Sequence, residues 1–245
     1  MKTLVIIPSR LSATRLPGKP LLKINGLSII SHVFKRAERA NIGEVVVATE
    51  DQEIADDVKK NGGRAIMTKN SHKTGTDRIY EAFLKFDKSK IDYVMNLQGD
   101  EPLMNIDDIK KLNDQMIKNN CKLGTLASKI LEKELYIDES VVKVITKESL
   151  TNTNFPEAVD FLRKTSNQNK KIYKHLGIYC YQKEALEEFI NYEQSNNEIK
   201  YKLEQLRALD NNIKINVALA KTSPIGVDTE EDFLAIKKIM EYKSK

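Results

Sequence analysis

Thr3-Leu4-Val5-Ile6-Ile7, running straight into Pro8-Ser9-Arg10-Leu11-Ser12-Ala13-Thr14-Arg15-Leu16-Pro17-Gly18-Lys19-Pro20, sets the frame for the rest of the chain. Its first five residues form a short, largely β-branched run that reads as a buried strand. From Arg10 onward come two arginines, a lysine, two hydroxyl residues, two prolines and a glycine. Open α/β sheets bind ligands just beyond the carboxyl ends of their strands, so a cationic loop here predicts a phosphorylated ligand. Arg10 and Arg15 can grip phosphate oxygens in fork geometry, and Lys19 adds a compact point charge. Pro17 and Pro20 stiffen the loop, and Gly18 permits close backbone approach. Neither GxxxxGK[ST] nor GxGxxG is present, which argues against a P-loop and against a dinucleotide fingerprint.

Working outward, short apolar runs alternate with longer amphipathic ones. Strands are expected at Thr3–Ile7, Glu44–Ala48, Arg64–Met67 and Tyr93–Leu97. Between them, Ser28–Ala40 places Ile29, Ile30, Val33, Phe34, Ala37 and Ala40 on one helical face. Asp51–Lys60, Thr76–Phe86 and Asn105–Asn119 read as further helices. This rhythm predicts a parallel sheet covered by helices. After about Gly124 it changes. Thr125–Ile130, Val141–Thr146 and Lys171–Tyr181 look like strands with little helix between them, as in an antiparallel extension. A helix at Glu198–Leu209, a strand at Ile213–Leu219 and a capped helix at Thr229–Tyr242 complete the chain. The expectation is one domain over 1–245, with an inserted lobe at about 125–195.

Composition narrows the function. The net charge of +5 is spread over mixed Lys/Glu surfaces with no long basic tract, so nucleic-acid binding is not expected. Cys121 and Cys180 have no metal or redox spacing, which suits a reducing compartment. There is no signal-peptide layout, and no apolar run nears the ~20 residues a membrane span needs. The expectation is a cytoplasmic protein without a membrane partner.

Several further words sit at strand or helix ends. In Leu97-Gln98-Gly99-Asp100-Glu101-Pro102, Asp100 is placed to hold Mg²⁺ beside phosphates, since magnesium uses only one or two protein carboxylates. The same residue types also make ordinary turns. Gly226-Val227-Asp228 offers a second ligand in Asp228, while the acids after it suit a helix's first turn. Lys73-Thr74-Gly75-Thr76-Asp77-Arg78 reads either as nucleotide contacts or as a helix cap. In His175-Leu176-Gly177-Ile178-Tyr179, alternation puts His175, Gly177 and Tyr179 on one face of a strand. Leu203-Glu204-Gln205-Leu206-Arg207 sets adjacent polar groups on a helix otherwise patterned for packing.

Together and in this order, IIPSRLSATRLPGKPL, VVVATED, TGTDR, NLQGDEP, HLGIYCY, LEQLR and GVDTEED resemble the 3-deoxy-manno-octulosonate (Kdo) cytidylyltransferases, over nearly the whole chain. The resemblance implies an α/β fold of the nucleotide-diphosphosugar transferase kind. In it a mixed, mainly parallel central sheet with flanking helices carries a smaller antiparallel lobe for the sugar side and dimerisation. It also implies a homodimer and the reaction of CTP with Kdo to give CMP-Kdo and pyrophosphate, supplying lipopolysaccharide synthesis. By motif, Arg10, Thr14, Arg15 and Lys19 bind the triphosphate, and Gly75, Thr76, Arg78 and Gln98 lie around the cytidine or the sugar. Asp100 and Asp228 hold Mg²⁺ and, with Lys19, form the catalytic group. His175, Tyr179, Glu204 and Gln205 face the sugar acid. The family's Phe-Ser-Arg-x-x-Ile-Pro stretch is matched only by Phe161-Leu162-Arg163-Lys164, which makes Arg163 the candidate for the sugar carboxylate. Thr151–Lys170 is unusually polar, so a related acid such as 8-amino-Kdo is the alternative substrate. A nucleotide-binding protein without catalysis is the alternative class.

Overall fold

The computed structural model describes residues 1–12, 15–87 and 90–242. The chain forms two compact units, Met1–Lys110 with Pro224–Lys245, and Lys111–Ser223. The lobe expected at about 125–195 lies inside the second.

In the first unit, β1 (Thr3–Ser9) pairs in parallel with β4 (Gly43–Thr49), following a short hairpin of β2 (Lys23–Ile24) and β3 (Leu27–Ser28). Helix α1 (Ile29–Ala40) joins the two, its Ser28 hydroxyl accepting the Ser31 N–H at 3.2 Å as a cap. Helix α2 (Gln52–Lys60) leads to β5 (Ala65–Met67), parallel to β4, and α3 (Gly75–Lys85) leads to β6 (Tyr93–Asn96), parallel to β1. The alternating pattern predicts a parallel sheet covered by helices, and the observed order β6-β1-β4-β5 makes that sheet doubly wound. Leu4, Val5, Ile6 and Ile7 are fully buried, as a strand covered on both faces requires. Helix α4 (Ile106–Asn119) runs across the division between the units. The C-terminal helix Glu230–Tyr242 packs Ile236 with Ile24, Ile29 and Val227 in a small apolar cluster.

The second unit is mostly antiparallel. Strand β7 (Leu123–Ser128) is followed by β8 (Lys143–Thr146), β9 (Ala158–Leu162) and β10 (Ile172–Gln182). Strand β10 pairs antiparallel with both β7 and β8, and β8 pairs antiparallel with β9. After β10 come α5 (Lys183–Asn191), α6 (Asn196–Tyr201), α7 (Leu206–Asp210) and β11 (Ile215–Leu219), the last parallel to β7. The single helix expected over Glu198–Leu209 is therefore two. Lys202 ends α6 in the left-handed conformation with φ 53°, which turns Leu203-Glu204-Gln205 out of the helical path.

Candidate active site

The loop after β1 reaches its functional end through one helical turn. Gly18, at φ 68°, caps the turn Lys19–Leu21 and sends Lys19 back toward the strand ends. At the end of β6, Gly99 lets two backbones meet, because a Cβ there would stand 2.8 Å from the Pro8 carbonyl oxygen. Beside it, the Val227 N–H donates to the Asp100 carbonyl at 2.9 Å and so brings Asp228 next to Asp100. Asp232 accepts the N–H groups of Asp228 and Thr229, leaving the Asp228 carboxylate free of capping duty.

These paths converge on Lys19. Its Nζ lies 2.8 Å from Asp100 and 3.3 Å from Asp228, and Arg15 reaches Asp228 at 3.3 Å. Around them is a cavity of about 380 Å³, within the usual size for small-ligand sites. It is lined by Arg10, Arg15, Lys19, Gly75, Arg78, Gln98, Asp100 and Asp228, eight of the residues singled out from sequence. Thr14 lies outside the described residues. Thr76 is buried and does not line the cavity, because the first turn of α3 directs it inward. Arg78 is also buried, paired with Glu50 and donating to the Thr68 hydroxyl at 2.6 Å, so it anchors the wall it lines. Ser12, counted among the loop's hydroxyl residues but given no role, lines the cavity too, and so does His72, which sequence reading passed over. His72 stood just outside the Lys73–Arg78 word, and that adjacency was the available signal.

The VVVATED and TGTDR words also have structural duties. Asp51 accepts the Leu11 N–H at 2.7 Å and fixes the start of the cationic loop. Thr74 and Asp77 form a reciprocal capping box on α3, so the cap reading of that word holds alongside its place at the cavity.

In the second unit, β10 carries its alternation through a bulge between Leu176 and Tyr179. His175, Gly177 and Tyr179 stay part-exposed while Leu176, Ile178 and Cys180 are buried. The His175 ring stands edge-on to Phe161 at 5.1 Å and 5.4 Å from Tyr179, and Tyr179 neighbours Tyr181 at 6.1 Å. The Thr125 hydroxyl, whose single proton goes to the Ile178 carbonyl at 2.7 Å, lies 3.0 Å from His175 Nε2. It therefore accepts from Nε2–H, which fixes the neutral tautomer and leaves Nδ1 unprotonated. Tyr179 has a buried hydroxyl with no hydrogen-bond partner among the described residues, a cost that a bound polar ligand relieves. Burial first, then Tyr181 and Glu204, push that phenol up. Glu204 and Gln205 sit in the turn between α6 and α7, with Gln205 buried.

Arg163, the candidate for the sugar carboxylate, is engaged with the main chain. Its three guanidinium nitrogens bond the carbonyls of Tyr201 (2.9 Å), Glu139 (3.1 Å) and Lys202 (2.8 Å). The buried Lys143 ammonium in turn bonds the carbonyls of Asp138, Val141 and Arg163. Arg163 thus clasps the end of α6, where orphan carbonyls need donors, and Lys143 holds the Arg163 main chain in place. The Arg163 fork therefore has a structural duty at the end of α6, beside the sugar contact expected of it.

Although the residue keeps some surface, its ring is enclosed by Phe161, Tyr179 and Thr125, and this burial lowers the His175 imidazole from 6.5 to about 3. Between those values the unfolded chain takes up a proton that the folded ring refuses, so stability falls as pH drops through this window and is unaffected above it. Urea melts at about pH 7.5 and about pH 4.5 are expected to show about 1–3 kcal/mol more loss in wild type than in His175→Gln. Equal losses would show that the ring takes its proton freely when folded.

A parallel sheet with a cation-lined cavity, where two carboxylates share one lysine, defines a nucleotide-handling α/β transferase. The profile of the cytidylyltransferase family matches residues 4–215. A 3-deoxy-manno-octulosonate cytidylyltransferase of Rhodopseudomonas palustris is 42% identical, covering 98% of both chains. One from Bartonella tribocorum is 38% identical, covering 98% of this chain and 99% of its own. The structure of a CMP:2-keto-3-deoxy-manno-octonic acid synthetase complexed with CTP superposes with a TM-score of 0.90 at 33% identity, covering 99% of this chain and all of the other. A 4-diphosphocytidyl-2C-methyl-D-erythritol synthase from Anaerococcus prevotii, at 14% identity and a TM-score of 0.64 over 98% of each chain, shares the fold. The chain belongs to the cytidylyltransferase family, among its 3-deoxy-manno-octulosonate members.

Proposed function

We propose that the protein transfers the cytidylyl group of CTP to the anomeric hydroxyl of Kdo, giving CMP-Kdo and pyrophosphate. The observation that carries this reading is the meeting of Asp100 and Asp228 on the Lys19 ammonium inside a cavity lined by Arg10 and Arg15. The sugar oxygen attacks the α-phosphorus, the bond from that phosphorus to the oxygen bridging the β-phosphate breaks so that pyrophosphate leaves, and the hydroxyl proton passes to solvent. Such chemistry needs positioning and charge neutralisation more than a covalent intermediate. Arg10 and Arg15 meet the triphosphate, and Lys19 neutralises charge growing on the α-phosphate and the departing pyrophosphate.

Asp100 and Asp228 fit a magnesium ion, because two carboxylates within reach of one cation, completed by phosphate oxygens, make a typical magnesium site. No group of three or more His, Cys, Asp or Glu gathers among the described residues, so an all-protein cage is not the arrangement at issue. When bound, Mg²⁺ would screen phosphate charge and make the attacking hydroxyl more acidic.

On the sugar side, the unpartnered Tyr179 hydroxyl, with His175, Glu204 and Gln205, is proposed to bind the acid. A homodimer, a place in lipopolysaccharide synthesis and a cytoplasmic setting belong to the same proposal. No helix among the described residues is long and apolar enough to cross a membrane.

Pyrophosphate release with CTP, Mg²⁺ and a panel of sugar acids tests the substrate. Release is expected with Kdo. Release with the 8-amino analogue alone would replace the sugar but keep the chemistry. Nucleotide binding without release from any acid would leave a non-catalytic binding protein.

A further inference from the structure

His72 lines the cavity, yet it is held from outside it. Its Nε2 pairs with the carboxylate of Glu81 on α3, and the two side chains are only 16% and 14% exposed. Glu81 is itself fixed, by Lys85 at 2.7 Å and by the Lys69 N–H at 2.9 Å. Burial works to raise its carboxyl, but the bonds from Lys85, His72 and Lys69 overcome this and pull it down to about 2. An ionised carboxylate can only accept, so the Nε2 atom carries a proton. The ring nitrogen left over on this cavity-lining residue is Nδ1, an acceptor when the ring is neutral.

We propose that His72, oriented by Glu81, reads the nucleotide's base by presenting Nδ1 to the exocyclic amino group of cytosine. The proposal rests on CTP being the nucleotide. The phosphates have their partners on the loop after β1, in Arg10, Arg15 and Lys19. His72 comes instead from the segment before α3, next to Gly75, whose missing side chain would stand 3.7 Å from Pro8 Cγ. A flat base suits a wall made of backbone and a proline ring, with one fixed polar atom at its edge. Cytosine offers an N–H to that atom, whereas uracil offers a carbonyl oxygen there and sets acceptor against acceptor. A site built around one such bond rejects the analogue lacking it, here by about ten- to a hundredfold.

The test is kcat/KM for CTP and UTP in the full chain with Mg²⁺ and Kdo. His72→Ala is expected to lower the CTP value about ten- to a hundredfold and the UTP value far less, so that the preference collapses. His72→Asn, whose amide oxygen can take the Nδ1 position, should recover part of it. Glu81→Gln should raise KM for CTP while holding kcat. Equal losses with both nucleotides, or an unchanged preference in His72→Ala, would overturn the role, since loop support alone lowers both together. Should His72→Ala not fold, the same ratio read in His72→Asn and Glu81→Gln decides. A wild type that does not use CTP would instead remove the function this proposal rests on. A wild type that prefers CTP, with a His72→Ala variant that keeps the preference, sinks the His72 role alone.

Discussion

Replacing Lys19 by alanine is expected to cut turnover by about 10²–10³-fold, the usual cost of removing one preorganised contact to a developing charge. The variant should fold. Lys19 is 13% exposed, but its partners Asp100 and Asp228 are 33% and 48% exposed, so water can solvate the carboxylates left behind. Initial rates of pyrophosphate release, beside a thermal melt, make the measurement. Asp100→Ala should lose at least as much, because it removes one of the two carboxylates assigned to the metal. Near-wild-type turnover in either variant would take that residue out of the mechanism.

The second large effect is on stability. Arg207 Nε and Nη2 bond the two carboxylate oxygens of Glu198 at 2.8 and 2.6 Å, with both side chains at 5% exposure or less. The Arg207 guanidinium also lies 4.7 Å over the Phe189 ring. Arg207→Ala therefore leaves an ionised carboxylate buried without its partner, at a cost of about 3–5 kcal/mol. Replacing both residues by apolar side chains of similar size should recover much of that loss. Urea unfolding of the single and double variants reads both numbers. A loss below about 1 kcal/mol in Arg207→Ala is what a surface pair would give, and would contradict the buried pairing. The turn carrying Glu204 and Gln205 lies between these two partners in sequence, so the pair braces the segment proposed to meet the sugar.

The parallel half of the fold was legible because its signals are local. Thr3–Ile7 and Glu44–Ala48 are β-branched runs, and Ser28 and Thr74 are cap residues, so strand ends and helix starts declared themselves. Strand β9 was hidden by Asp160, which interrupts its apolar pattern. Helix α5 follows β10 with no side-chain cap at Gln182 to mark its start. The break at Lys202 could not be foreseen, since neither glycine nor asparagine stands there to announce a left-handed residue.

The site divides along the same line. Arg10, Arg15, Lys19, Asp100 and Asp228 were readable because each follows a strand or precedes a helix in a word of unusual charge. The His72–Glu81 pair was not, because a loop and two turns of helix separate the partners and neither lies at a strand end. The Arg163 clasp was invisible for a different reason. Its partners are main-chain carbonyls, and side-chain identity says nothing of where those converge.

The most direct test of cytidylyl transfer follows CTP labelled at its α-phosphorus through one reaction with Kdo and Mg²⁺. The label should move into a CMP-sugar while unlabelled pyrophosphate is released in equal amount. Label remaining in CTP, or appearing in CDP with release of inorganic phosphate, would contradict attack at the α-phosphorus and the site built around Lys19, Asp100 and Asp228.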